Sequence, residues 1–483
     1  MSTTSNVSAS ARIEALLDDN SFVEIGSLVT ARATDFNLAQ KETPSDGVIT
    51  GFGLIQGCPV YVYSQDASVL GGSVGEMHAK KIANLYDMAM KMGAPIIGLL
   101  DSAGLRLQEA TDALNAFGTI YAKQAMASGV IPQITGVFGN CGGGLAVLTG
   151  LSDFVFMSDK GHMFVNAPNA IDENRAEKCD SSAAKFQCEE AGNVDVCADE
   201  EAVIEKIRQL VAMLPANNED DLSEDECSDD LNRICESMDS YVGDTTLALS
   251  SIADDHIFFE TKKDYAKEMV TGFLRLNGIT VGAVANRTTI YDEEMKEVES
   301  FDAMLTAKGC EKAASFVEFC DAFSIPVLTL TNASGFAACM CNEKRIVKAT
   351  AKLTYAFSNA TVPKVNVIIG EAYGTAYSIM NSKALGCDFT FAWPDTKVGM
   401  MNGTSAAKII YADEIAKADN ANALIAQKAA EYEELQLSAN SAGRRGYIDN
   451  IIDPADTRKY VIGAFEMLYT KREDRPAKKH GTV

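Results

Sequence analysis

Short apolar runs alternate with amphipathic stretches along most of the chain, and this order predicts strands that alternate with helices. Alternating Val and Tyr residues predict a strand over 59–64, and apolar residues at helical spacing predict a helix over 75–92. The wholly apolar run 96–100 is typical of a strand that is buried on both faces. Strands and helices in this order, joined by short loops, indicate βα crossovers and a partly parallel sheet.

The same order returns in the second half of the chain at a constant spacing of 231 residues. The matched pairs are Lys81 with Lys312, Pro95 with Pro326, Gly104 with Gly335, Pro132 with Pro363, Gly139 with Gly370, and Gly143 with Gly374. Unrelated α/β segments in similar order are the alternative, but they would drift in spacing, whereas a duplication preserves it. The repeat therefore predicts two domains of one α/β fold, over 1–215 and 245–483.

The segment 216–244 falls between the two predicted copies. Within this segment, the run 219–230 contains eight acidic residues and no basic residue. Like charges repel one another and keep such a run solvated. We therefore expect an acidic linker between the domains.

Charge and cysteine spacing exclude several classes of protein. The formal charge of −25 argues against nucleic acid as a partner. Twelve cysteines occur without a C-x-x-C pair, so the spacing predicts no metal site. Reduced thiols and a polar beginning without an apolar signal core predict a cytoplasmic protein. No run is long and apolar enough to predict a membrane span.

A glycine turn follows the same predicted strand in each copy. The first spans 139–144, with the sequence GNCGGG, and the second spans 370–376, with the sequence GEAYGTA. A strand that runs through glycines into a helix exposes backbone N–H groups near the positive end of the helix dipole. Such a turn can bind an anion, or the oxyanion that develops on a carbonyl group during a reaction.

Side chains for acid–base chemistry are scarce. The chain has four histidines, and the sequence contains neither a G-x-S-x-G motif nor a P-loop. His78 follows a glycine-rich turn and could touch a ligand, although a structural role is the alternative. Backbone donors without a protein base favour substrates that bring their own acid and base, and thioester enolates are the obvious case.

Several segments resemble the carboxyltransferase subunits of biotin-dependent acyl-CoA carboxylases. They are Ser64-Gln65-Asp66, the run 71–82 (GGSVGEMHAKKI), the run 129–134 (GVIPQI), the run 383–388, Ala392-Trp393-Pro394 and the ending 445–481. The resemblance covers nearly the whole chain. This family includes the propionyl-CoA carboxylase β subunit and the methylmalonyl-CoA decarboxylase α subunit, and the runs 91–95 and 108–114 look nearest to the decarboxylase branch.

The resemblance implies two tandem crotonase-like ββα spiral domains in a homohexamer. Each active site would lie between the N-terminal domain of one subunit and the C-terminal domain of another, with the acyl-CoA on the first and biotin on the second. The implied partners are a biotin carboxyl carrier protein and either a biotin carboxylase or membrane decarboxylase subunits. Released biotin anion would take the α-proton of the acyl-CoA, which explains the missing protein base.

Site residues follow from the family motifs at matching positions. The oxyanion donors map onto Gly143 and Gly144 in the first turn, and onto Thr375 and Ala376 in the second. The resemblance assigns CoA or biotin binding to a further set: Ser102, Gly104, Arg106, Gly374, Ser378, Gly335 and Phe336.

The chain departs from the family pattern mostly on the biotin side. Thr375 replaces a glycine, Ser334 replaces a proline before Gly335-Phe336, and a shortened loop over 337–344 carries Cys339 and Cys341. A side chain at 375 restricts the backbone and the approach of a ligand. Two functions therefore stay open: an active carboxyltransferase, or a catalytically silent paralogue that serves as a structural or acyl-CoA-binding subunit. The acyl group and the direction of transfer stay open as well.

Overall fold

The computed structural model describes residues 7–32, 41–220 and 226–475. The chain divides into two compact units. Unit 1 holds Met1–Ser223 with Lys262–Tyr265, and unit 2 holds Glu224–Thr261 with Ala266–Val483.

Unit 1 is built on an eight-stranded sheet in the order β1-β2-β3-β4-β5-β6-β8, in which β7 pairs with the end of β5. The first three strands are antiparallel and the rest are parallel. The strands are β1 (Val23–Ile25), β2 (Val48–Ile55), β3 (Cys58–Gln65), β4 (Ile96–Ser102), β5 (Gln133–Gly142), β6 (Phe154–Ser158), β7 (His162–Phe164) and β8 (Val196–Ala198). The helices are α1 (Ala9–Leu16), α2 (Glu76–Met92), α3 (Ala110–Ala127), α4 (Gly144–Gly150) and α5 (Glu200–Met213).

Unit 2 has a sheet of the same size in the order β20-β18-β17-β15-β11-β10-β9, in which β19 pairs with β17. The strands of this sheet are β9 (Phe258–Thr261), β10 (Met269–Leu276), β11 (Ile279–Asn286), β15 (Val327–Ala333), β17 (Lys364–Tyr373), β18 (Phe389–Ala392), β19 (Lys397–Gly399) and β20 (Asn450–Ile451). Two small two-stranded sheets are formed by β12 (Thr289–Tyr291) with β13 (Glu297–Ser300), and by β14 (Met304–Leu305) with β16 (Gly335–Phe336). Its helices are α6 (Thr245–Ile252), α7 (Ala307–Ala322), α8 (Met340–Glu343), α9 (Ile346–Asn359), α10 (Gly374–Ile379), α11 (Gly403–Ile410), α12 (Ala412–Ile415), α13 (Ala421–Tyr432), α14 (Ala439–Arg444) and α15 (Thr457–Leu468).

The two sheets share one topology and one register. Ile96 on β4 pairs with Gln133 on β5, and Val327 on β15 pairs with Lys364 on β17, so both partners move by the same 231 positions. All seven residues of β4 and all seven of β15 are buried, as expected of parallel strands covered on both faces. The duplicated α/β fold predicted from the spacing is confirmed.

The acidic segment contributes more to the fold than a linker would. Residues 226–244 belong to unit 2, where Cys235 and Met238 lie in the hydrophobic core. Asp229 forms ion pairs with Arg233 and Arg458. The expectation of a solvated run is therefore wrong for Asp229, because its carboxylate meets two guanidinium groups on unit 2. Residues 221–225 of the run lie outside the described residues.

Within the described ranges, no helix is both long and apolar enough to cross a lipid bilayer.

Candidate active site

The glycine turn of unit 1 (139–144) includes the last residues of β5 and leads into α4. Gly143 adopts φ +62° and ψ −122°, a backbone conformation of tight turns that only glycine adopts readily, and α4 starts at Gly144. The N–H of Gly143 donates to the carbonyl oxygen of Phe164 at 2.8 Å. The N–H of Gly143 therefore has a protein acceptor in this structure, and its predicted role as an oxyanion donor stays a prediction. Gly144 is the first residue of α4, so its N–H has no intrahelical acceptor and stays the predicted donor.

Two aromatic side chains of α3 close one side of this turn. A Cβ atom at Gly144 would come within 2.8 Å of the Tyr121 hydroxyl and 2.9 Å of the Phe117 ring. The Tyr121 hydroxyl donates to the Gly144 carbonyl oxygen at 2.6 Å. The two rings pack edge to face with centroids 5.1 Å apart. Gly144 is therefore required by the close approach of these rings.

The turn of unit 2 also has a glycine with a positive φ where the strand gives way to a helix. Gly374 adopts φ +58° at the start of α10, and Thr375 and Ala376 follow in its first turn. Helix geometry leaves the N–H groups of a first turn without intrahelical acceptors. Ala376 is buried, whereas Thr375 is exposed. The placement keeps both residues as candidate donors.

A pocket of about 660 Å³ opens beside this second turn. Its wall is formed by one face of α9, by Phe336 on β16 and by two residues of α10. The lining residues are Phe336, Val347, Thr350, Ala351, Thr354, Tyr355, Ser358, Asn359, Thr375 and Ile379. The volume lies within the usual range for pockets that hold a small molecule or cofactor. The Thr375 side chain therefore lies on the wall of an open pocket.

One polar side chain from the neighbouring central strand holds each turn. In unit 2, Asn332 Oδ1 accepts the N–H of Glu371 at 2.9 Å. In unit 1, Asp101 occupies the matching position and its carboxylate accepts the N–H of Asn140. A Cβ atom at the preceding glycine would come within 2.5 Å of the Asn332 oxygen in unit 2 and within 2.0 Å of the Asp101 oxygen in unit 1. The first glycine of each turn thus makes room for this side chain.

Asp101 is charged and Asn332 is not, and the surroundings differ accordingly. The buried Arg12 places Nη1 3.6 Å from Asp101 Oδ2, and its Nε donates to Glu200 at 2.7 Å. Burial raises the pKa of Asp101, and the Arg12 guanidinium opposes that shift. The sequence analysis did not assign a role to Asp101 or Asn332. The 231 spacing that relates these two residues was a signal that could have found them.

Arg106 lies inside unit 1, where protein groups surround its guanidinium. It is almost fully buried, and its Nη1 contacts Asp46 Oδ1 at 2.5 Å and Glu109 Oε1 at 2.8 Å. Nη2 donates to the Ser73 carbonyl oxygen at 2.7 Å. A guanidinium with these buried partners positions the loops around it, and the binding role predicted for Arg106 stays a prediction.

The remaining predicted binding residues lie at the edges of the two turns. Ser102 is buried and its Oγ accepts the N–H of Gly104 at 3.1 Å. Gly104 adopts φ +101° with open space beside it. Ser378 Oγ donates to the Gly374 carbonyl oxygen at 3.3 Å. Gly335 lies on β16 with open space beside it, next to the pocket residue Phe336.

His78 has a structural role. It is fully buried, its N–H donates to Asp46 Oδ2 at 2.7 Å, and its Nδ1 lies 3.0 Å from the Asp46 carbonyl oxygen. Burial, with Arg106 nearby, lowers the pKa of His78 to about 3. The imidazole is therefore neutral at neutral pH and packed inside unit 1, and the ligand-binding alternative has no support here.

Comparison with known proteins identifies the family. The carboxyl transferase domain model matches residues 5–483. The chain is 40% identical to the propionyl-CoA carboxylase beta chain of Roseobacter denitrificans, over 99% of this chain and 93% of the relative. It is 38% identical to the methylmalonyl-CoA decarboxylase subunit alpha of Propionigenium modestum, with the same coverage.

A solved structure agrees with these sequence matches. The crystal structure of the transcarboxylase 12S hexamer with hydrolysed methylmalonyl-coenzyme A superposes with a TM-score of 0.90 at 36% identity, covering 98% of this chain and 92% of that one. The match confirms the expected two-domain crotonase-like α/β fold. The chain therefore belongs to the carboxyl transferase family and is a carboxyltransferase of the biotin-dependent propionyl-CoA carboxylase and methylmalonyl-CoA carboxyltransferase type.

Proposed function

We propose that this chain moves a carboxylate between an acyl-CoA and biotin on a carrier protein, with one oxyanion held at each glycine turn. The acyl-CoA would be of the propionyl-CoA or methylmalonyl-CoA kind, as in the names of the relatives. The observation that carries the proposal is the pair of turns with one topology and one register. Two equivalent turns suit a reaction in which two different carbonyl oxygens become negative.

The turn of unit 1 would hold the thioester oxygen of the acyl-CoA. Backbone N–H groups at Gly144 and the start of α4 would stabilise the enolate oxygen, and each such donor is worth about 3 kcal/mol in a transition state. The rings of Phe117 and Tyr121 leave no room for a side chain at Gly144. A turn that is closed on this side suits a small acyl group better than a bulky ring. We assign the acyl-CoA to the domain proposed over 1–215.

The turn of unit 2 would hold the ureido oxygen of biotin. Thr375 and Ala376 lie beside the open pocket, which is large enough for the bicyclic ring of biotin. Carboxybiotin, when bound there, would supply the carboxyl group and, once that group has left, the base for the α-proton. The chain itself contributes N–H donors from the turn and an apolar wall from α9. We assign biotin to the domain proposed over 245–483.

The open pocket also weighs against the silent-paralogue alternative. That alternative required Thr375 and the short 337–344 segment to fill the biotin site. Thr375 instead lines a pocket of about 660 Å³. The active enzyme is therefore the better supported function, and the side chain at 375 is compatible with it.

The assembly follows from the same family. The solved relative, transcarboxylase 12S, is a hexamer that binds substrate in a multienzyme core. We propose a homohexamer for this chain, in which unit 1 of one subunit and unit 2 of another complete each active site. The carrier protein, and either a biotin carboxylase or membrane decarboxylase subunits, would be its partners.

The test uses the purified full chain, a biotinylated carrier domain and methylmalonyl-CoA labelled in the carboxyl group. We expect label on biotin and unlabelled propionyl-CoA as the second product. Thr375→Gly should change the rate only modestly, because the native pocket already accepts the threonine. Thr375→Trp should abolish transfer while calorimetry still shows acyl-CoA binding. Acyl-CoA binding by the wild type without transfer to the biotinylated carrier would overturn the proposal.

A further inference from the structure

Two cysteines meet on the short segment between β16 and α9. The Sγ atoms of Cys339 and Cys341 lie 2.7 Å apart, and both residues are exposed. Neither thiol belongs to the proposed chemistry of the turns. An exposed pair of thiols at contact distance is a candidate for reversible oxidation.

The segment is fixed at both ends, which keeps the two thiols together. The buried Asn342 accepts the N–H of Ala307 with Oδ1 at 2.6 Å and donates from Nδ2 to the Ala337 carbonyl oxygen at 2.7 Å. The N–H of Ala337 donates to the Leu305 carbonyl oxygen at 2.9 Å. Because the residues between these anchors have little freedom to lose, joining the thiols costs little further conformational entropy.

Cys339 has the character of an attacking thiol. The Cys341 thiol, and after it the N–H of Asn342, lower the pKa of Cys339 by hydrogen bonding to the thiolate. The thiolate is the reactive form of cysteine, and access from solvent decides which thiolates react. By contrast, burial raises the pKa of the thiols of Cys310 and Cys387 to about 12, so those groups stay protonated.

We propose that Cys339 and Cys341 form a reversible disulfide, driven by a low-molecular-weight disulfide. The Cys339 thiolate attacks one sulfur of the reagent and releases one reagent thiol, which leaves a mixed disulfide on Cys339. The Cys341 thiolate then attacks the Cys339 sulfur, forms the intramolecular bond and releases the second reagent thiol. Two protein thiols are oxidised, their two protons leave, and one reagent disulfide is reduced to two thiols.

The position of the pair links it to the pocket of unit 2. The segment begins one residue after Phe336, and α9 follows it with Val347 and Thr350, all three of which line the pocket. A disulfide across a single intervening residue changes the path of the segment, because the bond demands its own dihedral angle. Resting on the proposed function, the disulfide would therefore alter the biotin side of the reaction and spare the acyl-CoA side.

The experiment equilibrates the full chain in buffers of reduced and oxidised glutathione, blocks free thiols with iodoacetamide and weighs the tryptic peptide that ends at Lys344. As the buffer becomes more oxidising, we expect the fraction of peptide in which Cys339 and Cys341 are alkylated to fall for both residues together. Cys320 in the same peptide should remain a free thiol, which is alkylated once the protein is denatured. Cys339→Ser and Cys341→Ser should each abolish the intramolecular bond. Cys179→Ser, which removes another exposed thiol, is the matched control and should leave the transition unchanged.

Separate readouts distinguish the outcomes. Both thiols still alkylated in the most oxidising buffer, or a stable glutathione adduct on each, would overturn the disulfide site. A disulfide that leaves transfer to biotin unchanged would overturn its link to the pocket. If the disulfide forms as expected but the reduced chain transfers nothing, the modification site stands and the proposed function fails.

Discussion

The two glycine turns occupy the same place in the topology and share a positive φ, but their surroundings differ. In unit 1, Phe117 and Tyr121 on α3 pack over the turn and leave no room for a Cβ atom at Gly144. In unit 2, the helix at the matching place is α9, and it presents Thr350 and Thr354 to an open pocket. Thr375 fits there because its side chain lies on the pocket wall.

The difference shows where ligand choice is encoded. The strand, the positive φ at Gly143 and Gly374, and a side-chain oxygen that accepts a backbone N–H of the turn are common to both units. The side chains of the helix packed beside the turn differ, and they make one site closed and the other open. The turn therefore supplies the donor geometry, and the facing helix decides how large a group can approach it.

The largest effect is expected from Gly143→Ala, which tests whether the unit 1 turn takes part in transfer. A residue with a Cβ atom at φ +62° and ψ −122° is strained by about 1–3 kcal/mol. Displacing the donor at Gly144 should lower the transfer rate about 100-fold or more. Gly118→Ala, an exposed glycine of α3 with open space around it, is the control and should keep the wild-type rate. Wild-type transfer by folded Gly143→Ala would remove this turn from the mechanism.

A smaller effect is expected when the open site is made to resemble the closed one. Thr350→Phe combined with Thr354→Tyr should fill the pocket of unit 2 with rings like those of α3. We expect transfer to biotin to fall about tenfold or more, which corresponds to about 1.4 kcal/mol. The dissociation constant of acyl-CoA, measured by calorimetry, should not change. The control Lys348→Phe adds a ring on the exposed side of α9 and should change neither the transfer rate nor the acyl-CoA dissociation constant. If the double variant loses acyl-CoA binding as much as transfer, the assignment of biotin alone to unit 2 would be wrong.

The last comparison concerns stability and a pair of carboxylates at matching places in the two units. Asp153 accepts the N–H of Gln133 at 2.8 Å, and Asp388 accepts the N–H of Lys364 at 2.8 Å. Asp388 also pairs with Lys471 at 2.8 Å. For Asp153, burial first and Asp195 next raise the pKa to about 7. A pKa that is higher in the folded state than in the unfolded state means that ionisation favours unfolding.

The contribution of Asp153 to stability should therefore fall as the pH rises from about 4 to about 7, and stay level above that. Asp153→Asn removes the ionisation and keeps an oxygen for the Gln133 N–H. Denaturant unfolding at several pH values should show this variant gaining stability relative to the wild type across that window. Asp388→Asn loses the ion pair with Lys471 and should show no such gain. An unchanged difference across the window would disprove the raised pKa.

The architecture could be predicted from the sequence because the 231 spacing is constant over whole strands. The spacing identified β4 as the equivalent of β15 and β5 as the equivalent of β17. The pairing of β4 with β5 has the same register, residue by residue, as the pairing of β15 with β17. The spacing also located both turns, since a glycine stands at 143 and at 374, and both adopt a positive φ. These features depend on local sequence, and local sequence was visible.

Contacts between distant elements were not visible in the same way. Arg106 looked like a ligand-binding cation, but Asp46 lies 60 positions away in sequence and occupies its guanidinium. The N–H of Gly143 was expected to be free, and it is engaged by Phe164 on a strand added to the end of β5. The pocket beside Thr375 arises from small side chains on α9, and nothing in the helical spacing distinguishes such a face from a packed one.

The exchange of Asp101 for Asn332 has a consequence for how such a duplicated protein can diverge. Both side chains supply the same acceptor oxygen to the same backbone N–H, yet one carries a negative charge and the other does not. Arg12 compensates the charge in unit 1, so the local potential behind the turn can be altered without disturbing its shape. The electrostatic potential at the turn and the backbone shape of the turn can thus change independently, and each copy is able to adapt to a different anion while its fold stays constant.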